Sequence, residues 1–257
     1  MLSWGLTERA VLISGASRGL GAATARLLAA QGCRLALCAR DGTGVRSFAE
    51  ALADEFGVPV YAAAADVTDP PAVARFVDEA ADRLGSLAGV VVNAGGQRGA
   101  ATFAETADGD WADTFDLNVG HAARLVRNCL PHLVPATGSV VLVSSIAAHK
   151  PCAPAQYAVA KAALAHLAAC LAREFGALGV RINSVSPGSM MVPNKRSARM
   201  RVEEPAGYER FLREFPAGAL IEPDDVAAVI AFLLSDAARA VHGTDLAVDG
   251  GQRNPVP

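Results

Sequence analysis

The chain has 257 residues, of which 52% are hydrophobic and 19% charged, and its formal net charge is −3. This composition excludes an intrinsically disordered chain and allows one or two domains with a sizeable core. The small negative charge gives no reason to expect nucleic acid or an anionic membrane as a partner.

The cysteines and the N-terminus bear on the cellular compartment. The five cysteines are odd in number and contain no Cys-x-x-Cys pair, so we expect a reducing setting without a disulfide framework. Residues 1–9 lack the basic start and apolar stretch of a signal peptide, and we find no apolar run long enough to span a bilayer. These features predict a cytoplasmic protein. The five scattered histidines predict no metal site.

Short apolar runs alternate with longer helical patterns along the chain. The runs predict strands at residues 10–13, 34–39, 58–63, 89–92, 139–143, 180–185 and 245–248. The helical patterns cover residues 22–31, 45–56, 71–84, 111–133 and 157–178. Unbroken apolar runs are typical of strands buried on both faces of a parallel sheet. We therefore predict an α/β fold: one domain over residues 1–257, with a Rossmann-type, doubly wound parallel sheet of about seven strands and helices on both faces.

A glycine-rich loop joins the first predicted strand to the first helix. Gly15 allows a sharp turn, Gly19 leaves room for a pyrophosphate, and Gly21 allows close packing of helix and strand. The helix N-terminus then offers free amides and a positive dipole end to phosphates. The loop predicts a dinucleotide site formed by Gly15, Ser17, Arg18, Gly19, Leu20 and Gly21.

The end of the second strand bears on the choice of cofactor. No carboxylate stands at its tip to accept the ribose 2′-hydroxyl, and Arg40 follows Ala39 directly. Arg18 points to the same neighbourhood, and we expect Asp41 to face solvent. Two guanidiniums suit a 2′-phosphate because arginine binds phosphate oxygens in a bidentate fork. The sequence predicts NADP(H) in preference to NAD(H).

Tyr157 and Lys161 lie four residues apart in an alanine-rich helical stretch, so their side chains share a face. A phenol ordinarily has a pKa near ~10. A neighbouring ammonium favours the phenolate, which would bring that pKa towards the range of a working acid or base. By itself such a pair is more often a solvated helix face.

Residues 189–222 interrupt the alternation of strands and helices. The segment follows the sixth strand and so leaves the carboxyl edge of the sheet, where α/β proteins bind ligands. We interpret it as a substrate lid; a surface excursion is the alternative. Met190 and Met191 could pack an apolar substrate. The segment also carries a basic cluster of Lys195, Arg196, Arg199 and Arg201. This cluster is either a solvated face or a surface that attracts an acidic or carrier-bound substrate.

With the glycine loop, Asn93-Ala94-Gly95 and the Tyr157/Lys161 pair in this order, the chain resembles the short-chain dehydrogenase/reductase family. The resemblance covers residues 7–252. Its further motifs are Asp66-Val67, Asn118, Ser144-Ser145, Asn183-Ser184-Val185-Ser186-Pro187-Gly188 and Asp249-Gly250-Gly251.

The resemblance implies four catalytic residues. Tyr157 would donate a proton to the substrate oxygen, and Lys161 would lower the pKa of Tyr157 and hold the nicotinamide ribose. Ser145 would hydrogen-bond the carbonyl oxygen, where negative charge develops. Asn118 would anchor a water that relays protons to Lys161.

The resemblance also implies how the cofactor is bound. Asp66 and the Val67 amide would contact the adenine. The remaining contacts would come from Asn93, Ala94 and Gly95 on the adenosine side, and from Pro187, Gly188 and Met190, together with Tyr157 and Lys161, on the nicotinamide side.

Several positions depart from the family's pattern. Ser14 replaces the usual threonine, and Val192 stands where many members have a threonine that touches the cofactor. The loop from Ser145 to Tyr157 is one residue shorter than is common. Ser144 would restore the commoner spacing, but we expect Ser145 to be the catalytic serine because it holds the motif position after the strand.

The predicted function is an NADPH-dependent ketone reductase acting on a small-molecule carbonyl, with a β-keto acyl, polyketide-like or alicyclic substrate, either free or linked to a carrier or CoA. Members similar to 3-oxoacyl-carrier-protein reductases carry basic docking residues, of which Arg173 alone is matched. One alternative is an NAD(P)-dependent alcohol or sugar dehydrogenase working oxidatively. Another is a non-catalytic NADP-binding sensor or assembly subunit, although such relatives typically lose the tyrosine or the lysine. The resemblance implies a homotetramer or homodimer built on helices 111–133 and 157–178.

Overall fold

A seven-stranded parallel sheet forms the centre of the protein. The computed structural model describes residues 4–152, 154–192 and 196–253. In these residues the strand order is β3-β2-β1-β4-β5-β6-β7, which is the doubly wound arrangement. The strands are β1 (Ala10–Ser14), β2 (Arg34–Ala39), β3 (Val60–Ala64), β4 (Leu87–Val92), β5 (Ser139–Val143), β6 (Arg181–Pro187) and β7 (Asp245–Val248).

The α-helices cover both faces of this sheet. They are α1 (Gly19–Ala30), α2 (Gly42–Phe56), α3 (Pro70–Leu84), α4 (Asp108–Phe115), α5 (His121–Leu133), α6 (Ala155–Phe175), α7 (Arg196–Glu203), α8 (Pro205–Leu212) and α9 (Pro223–Leu234). One apolar core contains residues of α3, α5 and α6, and the other contains residues of α1, α2 and α9. The predicted fold class is therefore confirmed.

The strand pattern reflects burial. Every residue of β1 and β5 is buried, which explains their unbroken apolar sequences. The edge strands β3 and β7 are only partly buried. The third strand begins at Val60, two residues later than predicted, because Val58 and Pro59 still belong to the connection from α2.

The prediction of one helix over residues 111–133 is wrong in its middle. A π-helical turn, Asp116–Gly120, separates α4 from α5, and the His121 amide donates to the Asp116 carbonyl five residues back. Such turns are rare and often occur at functional sites. Here the turn contains Asn118, which is fully buried.

The segment predicted as a lid contains two short helices, α7 and α8, and is closed at its base. Met190 bridges to Ile221 in parallel, and the Met191 amide donates to the Ile221 carbonyl at 3.1 Å. The segment thus leaves the sheet edge and returns beside its own start. Lys195 of the predicted basic cluster lies outside the described residues. The α9 helix, which the sequence analysis did not predict, follows directly and packs against α1.

One helix, Ala155–Leu178, is long and apolar enough to cross a membrane by length and composition, with 24 residues and a mean hydropathy of 1.2. The expectation that no such segment exists is therefore wrong on these two criteria. The same stretch packs against β6 and carries Tyr157 and Lys161. Core helices of soluble proteins pass the same test.

Candidate active site

A cavity of about 1540 Å³ opens at the carboxyl end of the sheet. Most of the predicted cofactor residues line it: Gly15, Ser17, Arg18, Gly19, Leu20, Arg40, Asp66, Val67, Asn93, Ala94, Gly95, Tyr157 and Met190. Other predicted site residues are not among those that line it: Gly21, Asn118, Ser145, Lys161, Pro187 and Gly188. The residues that line the cavity are far apart in the sequence. They lie close together in the structure because the carboxyl ends of the parallel strands share one edge of the sheet.

The glycine loop adopts the geometry that a dinucleotide site requires. Gly15 has a φ of 68°, the left-handed conformation that glycine adopts without strain. A Cβ on Gly21 would collide with the Gly15 carbonyl oxygen and the Asn93 amide. The Ser14 hydroxyl accepts hydrogen bonds from the Asn93 and Ala94 amides, both at 3.1 Å. The serine therefore ties the glycine loop to the end of β4.

Arg18 and Arg40 line the part of the cavity beyond the glycine loop. Asp41 is exposed but also lines the cavity beside Arg40, and its Oδ1 caps α2 by accepting from the Gly44 amide at 2.9 Å. The capping bond occupies one of the two carboxylate oxygens of Asp41. The two guanidiniums remain available to an anionic group.

Asp66 lies just beyond β3, near Arg40. Its Oδ1 accepts from the Thr68 amide at 2.9 Å and from the Thr68 hydroxyl at 2.7 Å. These bonds, followed by the nearby charges of Arg40 and Arg98, lower the pKa of Asp66 below its usual range. The group is an ionised acceptor at neutral pH. Arg98 also lines the cavity and was not singled out as a cofactor residue from the sequence.

Tyr157 lies on the cavity wall at the start of α6. Burial raises the pKa of its phenol, and a hydrogen bond with the Ser145 hydroxyl acts in the opposite direction. The Cys152 thiol nearby adds to the upward shift of the pKa. Tyr157 is thus a protonated donor at neutral pH, hydrogen-bonded to the predicted catalytic serine.

Lys161 is 3% exposed, and its Nζ donates to the Val143 carbonyl at 2.8 Å, at the end of β5. Burial lowers the pKa of its ammonium to about 7. The expected lowering of the Tyr157 pKa by Lys161 stays a prediction, because burial sets the direction of the shift in the protein by itself. Desolvation is the largest cause of the pKa shifts of both Tyr157 and Lys161. Lys161 Nζ lies 5.7 Å from the centroid of the Tyr157 ring.

The two neighbouring serines have different surroundings. The Ser144 hydroxyl is buried and donates to the Lys161 carbonyl at 2.7 Å, inside the protein. The Ser145 hydroxyl accepts from the Ala147 amide at 3.2 Å and hydrogen-bonds Tyr157. Ser145 therefore faces the phenol, whereas Ser144 fastens α6 to the sheet.

The Asn118 side chain is extensively hydrogen-bonded. Its Nδ2 donates to the carbonyls of Gly96 and Thr114, both at 2.7 Å, and its Oδ1 accepts from the Gly96 amide at 3.1 Å. A Cβ on Gly95 would lie 2.8 Å from Asn118 Oδ1 and 3.0 Å from Lys161 Nζ. Asn118 and Lys161 thus converge on the backbone of Gly95.

Comparison with known proteins gives the same picture. A family model described as enoyl-(acyl carrier protein) reductase matches residues 15–253. Cis-4-hydroxycyclohexanecarboxylate dehydrogenase of Sinomonas cyclohexanicum is 36% identical over 246 residues, which cover 95% of this chain and 96% of that protein. The chain belongs to the short-chain dehydrogenase/reductase family. It is therefore an oxidoreductase of a family that binds NAD(P) and acts on CH–OH and keto groups.

Two solved structures of the family superpose closely. L-sorbose reductase from Gluconobacter frateurii, complexed with NADPH and L-sorbose, has a TM-score of 0.90 and 28% identity, covering 99% of this chain and 100% of that one. Actinorhodin polyketide ketoreductase with NADPH has a TM-score of 0.88 and 28% identity, covering 96% and 97%.

The substrate end of the cavity contains residues that the sequence analysis did not assign to a site. Lys150, Glu214 and Gln252 line it and are hydrogen-bonded to one another. Gln156, beside Tyr157, is fully buried, and its Nε2 donates to the carbonyls of Arg98 and Ala100. No sequence motif marks these contacts, because each joins segments far apart in the chain.

Other polar and sulfur-containing residues are directed elsewhere. Met190 lines the catalytic cavity, whereas Met191 lines a separate depression of about 200 Å³. His149 pairs with Asp245. All five cysteine thiols are free. Among the described residues, no group of three or more histidines, cysteines or acids could hold a metal ion.

The buried ammonium predicts how stability depends on pH. Below about pH 7, Lys161 is protonated in both the folded and the unfolded protein, so its full burial cost opposes folding. Between about pH 7 and the unfolded value of 10.5, the unfolded chain holds the extra proton. The free energy of unfolding should therefore rise with pH in this window, by on the order of a few kcal/mol.

Chemical unfolding of the protein without added cofactor, followed from pH 7 to 9.5, measures this rise. Lys161→Met removes the titrating group while keeping an unbranched side chain, so it should flatten the rise relative to the wild type. Equal slopes for the two proteins would show that Lys161 does not titrate in this range.

Proposed function

We propose that the protein is an NADPH-dependent reductase that delivers hydride to a ketone, with Tyr157 as the proton donor. The observation that carries this proposal is the protonated Tyr157 phenol at the cavity wall, hydrogen-bonded to Ser145 and one helical turn from the buried Lys161. A non-catalytic relative has no need for this arrangement.

The residues that would hold the cofactor fit a dinucleotide. The glycine loop leaves its helix N-terminus open to phosphates, and ionised Asp66 offers an acceptor to the adenine amino group. Asn93, Ala94 and Gly95 form the wall between them. A bound NADPH supplies the hydride.

The chain's own residues would handle the proton. The Tyr157 phenol donates its proton to the substrate oxygen, and the Ser145 hydroxyl hydrogen-bonds the same oxygen as negative charge develops there. Lys161, with a pKa of about 7, exchanges protons near neutral pH and can return one to Tyr157. Asn118 holds the backbone beside Lys161; its role in a proton relay stays a prediction.

We propose NADP(H) over NAD(H) on the basis of Arg18 and Arg40, which line the cavity beside the glycine loop. Asp41 is occupied with the cap of α2. A 2′-phosphate would be paired by the two guanidiniums, whereas a 2′-hydroxyl would find no acid at the last residue of β2, which is Ala39.

The ketone class follows from the cavity walls. Ile146, Pro151, Met190, Met200 and Phe211 form an apolar surface around the opening, which suits an alicyclic or polyketide-like carbon skeleton. The alicyclic substrate in the name of the 36% identical relative and the polyketide in the name of the solved ketoreductase support this choice. Linkage of the substrate to a carrier or CoA stays open; Arg173 is exposed on α6. A cytoplasmic location also stays a prediction.

Turnover assays test the function. The wild type should consume NADPH with a cyclic ketone, and Tyr157→Phe should lose on the order of a hundredfold or more in kcat while still binding NADPH. Ser145→Ala should lose more than the matched variant Ser144→Ala, because only Ser145 faces the phenol. Preserved turnover in Tyr157→Phe, or a larger loss in Ser144→Ala, would contradict the mechanism.

Dissociation constants for the two cofactors test the NADP(H) proposal. NADPH should bind more tightly than NADH, and Arg40→Ala should reduce that difference by about tenfold, because a charge-assisted bond to phosphate is lost. Arg75→Ala removes the same charge from an exposed position on α3 and should keep the difference. Equal affinities in the wild type would reject the NADP(H) proposal.

We also propose a homotetramer or homodimer that buries the outer faces of α5 and α6. Val159 is 48% exposed on α6, and Leu178 just beyond it is 50% exposed. The molecular mass measured in solution at low micromolar concentration should be that of a dimer or tetramer. Val159→Glu should weaken this oligomer by placing a charge in the contact between subunits. A monomeric wild type would reject the proposal.

A further inference from the structure

A network of polar side chains lines one end of the cavity, which we interpret as the substrate end. Lys150 follows the short helix after Ser145, and its Nζ donates to Glu214 Oε2 at 2.8 Å. Glu214 lies just beyond α8, at the end of the segment that covers the cavity. Both side chains line the cavity and are about one-third exposed, at 31% and 37%. The Glu214 carboxylate thus already pairs with the Lys150 ammonium, which an anionic group of a substrate would otherwise contact.

Gln252 holds this carboxylate in place. Its Nε2 donates to the same Glu214 oxygen at 2.9 Å, and Gln252 is 3% exposed. The Oε1 of Gln252 accepts from the Ser189 amide at 2.8 Å. Ser189 directly follows Gly188, on the predicted nicotinamide side. The Glu214 carboxylate is therefore tied to the cofactor side of the cavity as well as to Lys150.

This arrangement makes the binding of a second carboxylate near Lys150 unfavourable. A substrate anion near Lys150 would have to displace Glu214 or share the ammonium with it, and like charges a few ångströms apart repel each other. A neutral polar group incurs no such cost and can still hydrogen-bond. Among the described residues that line the cavity, the other cations are Arg18 in the glycine loop and Arg40 and Arg98, which lie near Asp66 since both lower the pKa of that carboxyl.

We propose that Glu214 is a specificity-determining residue: by neutralising Lys150 it makes the site favour a neutral ketone over one that carries a carboxylate. The inference rests on the proposed ketone-reductase function and narrows its substrate class. The 36% identical relative is named for a substrate with a carboxylate, so a charged ring acid is a relevant competitor.

A pair of matched ring ketones tests the proposal: 4-oxocyclohexanecarboxylate and its carboxamide, which differ in charge but hardly in shape. The readout is the ratio of kcat/KM for the acid to kcat/KM for the amide, near neutral pH with saturating NADPH. This ratio does not depend on the fraction of active protein. The wild type should prefer the amide.

Glu214→Gln should shift the ratio towards the acid by about fivefold or more, the scale of one partly exposed ion pair. Glu214→Gln with Lys150→Met should lose that gain, because the freed ammonium is then absent. Glu209→Gln makes the same charge change at an exposed position of α8 and should keep the wild-type ratio. A wild type that prefers the acid, or equal ratios in Glu214→Gln and Glu209→Gln, would overturn the inference.

A binding assay separates this inference from the proposed function. Cyclohexanecarboxylate and cyclohexanecarboxamide carry no ketone, so their dissociation constants from the NADPH-bound protein need no turnover. A shift towards the carboxylate in Glu214→Gln, with no ketone reduced by any variant, would reject the reductase and keep the role of Glu214. Ketone turnover with an unmoved ratio in both assays would reject the role of Glu214 alone. Failure of both ligands to bind would also contradict it, because the inference requires a cavity that accepts these rings.

Discussion

Two hydrogen bonds fasten α6 to the carboxyl end of β5, and the geometry of the site depends on them. Lys161 Nζ donates to the Val143 carbonyl at 2.8 Å, and the Ser144 hydroxyl donates to the Lys161 carbonyl at 2.7 Å. Tyr157 lies one helical turn before Lys161, so these two bonds fix its position along the helix axis relative to the Ser145 hydroxyl. Burying the ammonium opposes its charged form, which is why the pKa of Lys161 falls to about 7. The residue that anchors the helix is therefore also the one to which the proposed mechanism gives a proton-exchanging role.

The loop after β4 is held between the catalytic helix and the π-helical turn. Asn118 uses both ends of its amide on the backbone of Gly96, and Gln156 binds the carbonyls of Arg98 and Ala100 from the opposite side. A regular helix through residues 116–120 would turn Asn118 to another direction, so the irregular turn is what lets it reach Gly96. This wall of the cavity is thus hydrogen-bonded both to the π-helical turn and to α6.

The sequence predicted the sheet, the glycine loop and the four-residue spacing of Tyr157 and Lys161, since these depend on local patterns of apolar residues and glycine. It did not predict the break between α4 and α5, because the apolar period continues through the π turn and only the tertiary bond of Asn118 to Gly96 distinguishes it. The raised pKa of Tyr157 was missed for a related reason. Burial decides it, and burial is set by the packing of the whole cavity.

The limit of prediction from the sequence is clearest at the substrate end of the cavity. Its network joins Lys150 to Glu214 across 64 residues, Glu214 to Gln252 across 38, and Gln252 to Ser189 across 63. Each residue alone is typical of a solvated surface. They come together because the segment 189–222, predicted as a lid, starts and ends beside the Met190–Ile221 bridge. There the Glu214 carboxylate pairs with the Lys150 ammonium at 2.8 Å, so under the role proposed for Glu214 charge as well as shape would decide what enters.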